Sequence, residues 1–131
     1  MISKNFIIQE HHARNLHYDF RLEINGILKS WAVPKNIPTE KGIRRLAIEV
    51  EDHPLEYGNF EGIIPKGQYG AGKVTIWDNG KYKNESEKNI ETCLKNGHFI
   101  VKLEGTKIKG KYAFTRLNQQ KNNWIIIKMK D

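Results

Sequence analysis

The chain reads as mostly β, a small closed or nearly closed antiparallel β-barrel carrying one short helix. Two observations carry that reading. The sequence holds 26 β-branched residues (17 Ile, four Val and five Thr) against five Ala. Branched side chains are stiff at χ1 and suit a pleated surface. Turn signals also recur along the chain, at Asn25-Gly26, Asp52-His53-Pro54, Asp78-Asn79-Gly80, Glu104-Gly105 and Lys109-Gly110, and they divide it into short strands.

In chain order, Phe6–Gln9 is the first expected strand. Tyr18–Ile24 and Ile27–Val33 flank Asn25-Gly26, a hairpin signal, because a type I′ turn needs positive φ at both central residues. Further strands are expected at Arg44–Val50, Lys73–Trp77, Phe99–Leu103, Lys107–Leu117 and Trp124–Met129. The helix is expected over Glu87–Lys95. Ser86 offers an N-cap, Ile90, Cys93 and Leu94 fall at helical spacing, and Gly97 follows as a stop. No repeat, linker or low-complexity stretch interrupts the pattern, so residues 1–131 read as a single domain.

Composition narrows the function classes. With 38% of its residues apolar, the chain can fill one ordinary core, which excludes an intrinsically disordered protein. The longest apolar run is Trp124–Ile127, far short of a membrane span, and the N-terminus has no apolar stretch of signal-peptide type. The single cysteine, Cys93, excludes a disulfide framework and a Cys-rich zinc module. A soluble, cytoplasmic domain with no membrane partner is expected. The net charge of +7 makes nucleic acid the default polyanionic partner.

The segment Gly67-Gln68-Tyr69-Gly70-Ala71-Gly72-Lys73-Val74 imitates a phosphate-binding P-loop. Val74 stands where a Ser or Thr should bind Mg²⁺, and Val74-Thr75-Ile76-Trp77 reads as a strand where the motif needs a helix N-terminus. It is a tight loop between strands.

The chemistry lies on one polar face. From residue 17 the alternation is strict, with His17, Asp19, Arg21 and Glu23 on one side and Tyr18, Phe20, Leu22 and Ile24 on the other. The apolar set fills the core. The polar set then lines up an imidazole, a carboxylate and a guanidinium, suited to a divalent ion and a phosphoryl group. The stretch Arg45–His53 repeats the design, with Leu46, Ile48 and Val50 on one face and Arg45, Glu49, Glu51 and His53 on the other. The bland alternative is a solvated face whose charges pair across strands. With His11 preceding His17 and His53 nearby, a metal or phosphate site is the better reading, since such clusters seldom arise idly.

Four linked motifs in order carry a family resemblance: Phe6–His11 running into His17–Glu23, Leu28–Lys35, Val50–Tyr57, and Phe60–Gly72. Together they resemble the 3′-phosphoesterase domain of bacterial and archaeal DNA ligase D, from about Phe6 to Trp77, with the C-terminal strands following more loosely. The chain looks like the stand-alone form, without fused ligase or polymerase modules. The resemblance implies a Mn²⁺-dependent hydrolase, with Zn²⁺ or Co²⁺ possible in its place, that heals 3′ ends of DNA or DNA–RNA primer–templates. It implies removal of a 3′-terminal ribonucleoside as a phosphodiesterase, then of the 3′-phosphate as a phosphomonoesterase, leaving a 3′-OH for a separate ligase or polymerase of the repair pathway. It also implies that His11, Asp19 and His53 hold the metal, and that His17 and Arg21 engage the phosphate. Arg45, Tyr57 and Lys35 match further active-site positions of the family, whereas His12 lies outside its motif.

Two other readings compete. A non-catalytic barrel binding single-stranded nucleic acid would use Trp31, Trp77, Trp124 and surface lysines, but gains nothing from an aspartate among its cations. A metal enzyme acting on small molecules accepts the histidines and leaves Arg21, Arg45 and the positive charge idle. His17 as general acid and His17 as simple phosphate donor both remain open at this level.

Overall fold

A computed structural model describes residues 4–117 and 122–130. Nine strands form the architecture: β1 (Lys4–His12), β2 (Leu16–Ile24), β3 (Ile27–Val33), β4 (Arg44–Pro54), β5 (Gly62–Ile64), β6 (Gly72–Asn84), β7 (His98–Glu104), β8 (Lys109–Arg116) and β9 (Asn123–Lys128). A 3₁₀ turn at Leu55–Asn59 precedes β5, and the helix α1 spans Ile90–Asn96. The strand order β1-β2-β3-β4-β9-β8-β7-β6 closes through a β6–β1 pairing, giving an eight-stranded antiparallel barrel. Every pairing in it is antiparallel, and closure removes the exposed edges a flat sheet would present. The short β5 pairs with the start of β6 outside this ring.

The interior is aromatic. Trp31 lies 5.1 Å from Phe114 and 5.7 Å from Trp124, and Phe99 stacks on Phe114 at 4.6 Å. Trp31 and Trp124 are both 0% exposed, so two of the three tryptophans that a groove binder would use are spent on the core. The β2–β3 hairpin turns at Asn25 (φ 50°) and Gly26 (φ 81°), as a type I′ turn requires. Gly72 opens a strand and no helix N-terminus, so the Gly67–Lys73 segment is no P-loop.

Lys109-Gly110 is no turn, because β8 begins there and pairs with the end of β7, and three further expectations need correction. The Asp78-Asn79-Gly80 triplet is no turn, because β6 runs through it. The Asp78 carboxylate instead accepts backbone N–H bonds from Asn79, Thr106, Lys107 and Ile108, each at 2.9 Å, and so closes the β7–β8 connection. Gly80 serves close approach, since a Cβ there would strike the Glu104 carbonyl oxygen. The helix begins later than expected. Asn89 caps it by accepting the Thr92 N–H at 2.8 Å, while the Ser86 hydroxyl accepts from the Ile100 N–H at 2.8 Å. The third correction concerns β4, which extends through Asp52-His53-Pro54 instead of turning there. The 3₁₀ turn and β5 were not anticipated.

The role of Asp78 is testable. It is 5% exposed, and removing a charged acceptor strands several buried N–H groups at once. Asp78→Ala is expected to cost about 3 kcal/mol of unfolding free energy, read as a lower urea midpoint at unchanged slope. A change within experimental scatter would contradict that role.

Candidate active site

Barrel topology explains why a pocket exists. Between β4 and β6 stand β1, β2 and β3, so the connection from residue 55 to residue 71 must cross their outer face. It does so as the 3₁₀ turn, β5 and the turns at 65–71. The barrel wall becomes a floor and the crossing segment a rim. Between them lies a cavity of about 690 Å³, lined by His11, His17, Asp19, Arg21, His53 and Tyr57 among others.

Strand alternation sets the floor. Phe6 and Ile8 of β1 join the core, so Gln9 and His11 face outward, as do Asp19 and Arg21 of β2. Pairing then brings Gln9 opposite Asp19 and His11 opposite His17. His11 Nδ1 lies 3.4 Å from Asp19 Oδ2, and His17 Nε2 lies 3.4 Å from Asp19 Oδ1. The two imidazoles sit 4.6 Å apart. Ligand atoms of His11, His17 and Asp19 all fall within 4.8 Å of one another. Two imidazoles and a carboxylate form a donor set of borderline-to-hard character, which fits a divalent transition ion. His11 Nε2–H donates to the Gly70 carbonyl at 2.7 Å, which leaves Nδ1 with its lone pair toward Asp19. Metal-ligating histidines commonly have their second nitrogen fixed in this way.

His53 lines the same pocket, brought there by an irregularity, but falls outside the His11–His17–Asp19 grouping. Leu28 pairs with His53 and Ser30 with Val50, so Glu51 and Asp52 together oppose Lys29 in a β-bulge. The extra residue reverses the facing of everything beyond it. His53 therefore faces outward with Val50, whereas Arg45, Ala47 and Glu49 share the opposite parity. Ala47 is in the core, and Glu49 accepts the Trp124 indole N–H at 2.9 Å. Arg45 donates to Asn36 Oδ1 at 3.0 Å and to the Arg44 carbonyl at 2.8 Å. The expectation that Arg45, Glu49 and His53 share one face is corrected by the bulge. Neither Arg45 nor the exposed Lys35 lines the pocket.

Arg21 is held from several sides. It is 3% exposed; its Nε donates to Gln9 Oε1 at 2.6 Å and its Nη1 to Ser30 Oγ at 2.7 Å. Nη2 lies 3.6 Å from Asp19 Oδ2, and the guanidinium carbon lies 4.9 Å from the Tyr57 ring centroid. His53 Nδ1 is 3.1 Å from both Arg21 Nη1 and the Glu51 carbonyl oxygen. Gln9 ties this floor to the rim, donating to the Tyr57 and Phe60 carbonyls at 2.8 and 3.2 Å. Phe60 in turn stacks on Tyr57 at 5.3 Å. Gln9, Ser30 and Phe60 are positioning residues that the motifs did not single out. Gln9 was legible in principle, since it shares the outward parity of His11.

The electrostatics separate the two flanking histidines. Burial alone would raise the Asp19 carboxyl, but contact with His17 and the charge of Arg21 outweigh it, holding the pKa below the usual carboxylate value. Asp19 raises the pKa of His17 against the opposing effect of burial. With His17 Nδ1 3.1 Å from the Asn15 carbonyl and Nε2 facing Asp19, both ring nitrogens meet acceptors, which favours the imidazolium. His53 is shifted downward by burial and by Arg21. Burial also raises the Tyr57 phenol, so Tyr57 is a neutral donor.

A closed barrel with a histidine–aspartate cluster and a buried arginine on one outer face has the form of a β-barrel phosphoesterase domain. Residues 9–116 match the family described as the DNA Ligase D 3'-phosphoesterase domain, and the chain belongs to that family. It is 52% identical over 126 residues to the multifunctional non-homologous end joining DNA repair protein LigD of Mycobacterium tuberculosis. To the multifunctional non-homologous end joining proteins LigD of Mycolicibacterium smegmatis and Pseudomonas aeruginosa it is 50% identical over 130 residues and 44% over 128. Each match covers 96% of this chain but only 15–17% of the relative, so the chain spans about a sixth of their length. Membership makes this a domain of the 3'-phosphoesterase family. No helix among the described residues is long and apolar enough to cross a membrane.

Proposed function

We propose that the domain is a metal-dependent 3′-end-healing phosphoesterase. It removes a 3′-terminal ribonucleoside from a DNA or DNA–RNA primer strand, then the remaining 3′-phosphate, so that a ligase or polymerase of the repair pathway meets a 3′-OH. The observation that supports this most is the convergence of a ligand-type cluster and an immobilised arginine in one pocket. A cavity of about 690 Å³ suits a terminal nucleotide.

The roles follow from the chemistry of each side chain. As the family resemblance implies, His11, Asp19 and His53 would hold a divalent ion, Mn²⁺, with Zn²⁺ or Co²⁺ able to replace it; a donor set of imidazoles and a carboxylate suits such ions. When bound, such an ion supplies Lewis acidity toward water and toward the phosphoryl oxygens. His53 suits the ligand role because burial and Arg21 keep its ring neutral. His17, whose imidazolium Asp19 favours, donates to the phosphate and can pass its proton to the departing oxygen. Arg21 neutralises charge on the transferring phosphoryl group, and Tyr57 donates a further hydrogen bond. Lys35 and Arg45, which do not line the pocket, are assigned to the nucleic-acid backbone.

The deciding experiment uses 5′-labelled primer–templates ending in one ribonucleotide, in a 3′-phosphate, or in a plain deoxynucleotide 3′-OH, with Mn²⁺ or EDTA. The first two are expected to be converted in Mn²⁺ alone, and the third to stay intact. Steady shortening of the all-deoxy primer would indicate an ordinary exonuclease. No product from either of the first two would refute the reaction.

A further inference from the structure

The rim of the pocket carries two large apolar side chains that no catalytic role absorbs. Tyr69 is 86% exposed and Ile63 is 74% exposed, while the next large hydrophobic residue, Leu16, is 46% exposed. Both line the cavity that holds the His11–His17–Asp19 cluster. Two large exposed side chains on the rim of one cavity make that rim a candidate contact surface.

The backbone beneath Tyr69 is set by bonds. Gln68 N–H donates to the Pro65 carbonyl at 3.2 Å, and Ala71 N–H donates to the Gln68 carbonyl at 3.1 Å. Tyr69 therefore occupies the second position of a turn, one residue before the Gly70 carbonyl that accepts from His11 at 2.7 Å. Gly70 adopts φ +74°, a conformation that aims its carbonyl at the cluster without a side-chain penalty. Ile63 is the central residue of β5, paired with Lys73. The ring of Tyr69 is thus carried on a short, tied segment at the edge of the reacting centre.

A nucleotide entering this pocket has two chemically distinct ends. Its phosphate is drawn to Arg21 and His17 on the floor. Its base is an uncharged aromatic plane that gains most from a flat, dry partner, and base–aromatic stacking tolerates any sequence because every base has a π-face. We infer that Tyr69, with Ile63 on the same rim, is the platform on which the base of the substrate's terminal nucleotide stacks. The inference rests on the proposed end-healing reaction. Neither side chain has a donor–acceptor pattern matched to one base edge, so the platform gives grip without sequence preference.

The test uses a 3′-phosphate primer–template with 2-aminopurine as its terminal base, mixed rapidly with the Mn²⁺-loaded protein. Anisotropy of a 5′ dye follows binding, and 2-aminopurine fluorescence follows stacking before turnover. Binding to the unaltered protein is expected to quench the terminal 2-aminopurine. Tyr69→Phe keeps the quench and Tyr69→Ala loses it, with KM for the same primer raised about tenfold and kcat changed less than about twofold. Equal quenching in Tyr69→Ala, an unchanged KM, or no quenching in the bound unaltered protein would overturn the platform, leaving a protein partner as the occupant of the rim. Failure of the unaltered protein to release phosphate from any 3′-phosphate primer would instead count against the reaction, because the quench is read independently of turnover.

Discussion

Lysine in place of Arg21 is expected to lower single-turnover release of a 3′-phosphate by about 10²–10³-fold, with bound metal retained. The reason is the number of directions in which this guanidinium is already committed. Gln9, Ser30 and Asp19 fix its plane, at 2.6, 2.7 and 3.6 Å, and Tyr57 covers one face at 4.9 Å. A lysine ammonium carries the same charge but cannot present a planar fork to two phosphoryl oxygens while also meeting Gln9 and Ser30. Its greater hydration cost at a site 3% exposed adds to the loss. Arg21→Ala should lose at least as much, since transition-state charge is then left unpaired. The measurement is phosphate release under single-turnover conditions beside metal content by elemental analysis. Near-normal turnover in Arg21→Lys would show that only a positive charge is needed.

Much of this site is legible in β2 alone. The run His17-Tyr18-Asp19-Phe20-Arg21-Leu22 alternates without a fault, and a period of two is the one pattern that survives unchanged from sequence to sheet. That is why Asp19 and Arg21 emerge outside the barrel while Phe20 and Leu22 enter its core. The same rule misreads β4, because one inserted residue at the Glu51–Asp52 bulge reverses parity and leaves no mark in the pattern of hydrophobicity. Arg45 and His53 differ by an even number of positions, yet they face opposite ways. Capping shows a different limit. Ser86 and Asn89 are both good helix caps, and what separates them is the pairing of Ser86 with Ile100 on β7, a partner distant in sequence. The crossing segment from Leu55 to Ala71 was unreadable for a third reason. A 3₁₀ turn and a three-residue strand are too short to show any period. Its path follows only from the closure of β6 onto β1.

Asp19→Ala is expected to abolish metal binding and to reduce turnover to the level seen in EDTA. Asp19 faces His11, His17 and Arg21 at once, at 3.4, 3.4 and 3.6 Å, so its removal takes away the only anionic donor of the cluster and the counter-charge of Arg21. His11→Ala should behave alike, because the bond that orients its ring to Gly70 has no substitute. The two remaining histidines divide the outcome. With His53 as the third ligand, His53→Ala loses the ion, whereas His17→Ala keeps it and loses turnover. Metal retained in His53→Ala but lost in His17→Ala would move His17 into the coordination set, the grouping to which the 4.8 Å spacing also corresponds. An acid titration provides an independent check on the same assignment. If His17 were a ligand, protons would compete with the metal at its nitrogen, and its raised pKa would make metal loss begin above the ordinary imidazole value of about 6.5. With His53, whose pKa is lowered, that residue's competition sets in only below this value. Isothermal titration with Mn²⁺ across this range is therefore expected to show no loss of affinity that sets in well above this value. An onset of loss well above it would transfer the ligand role to His17.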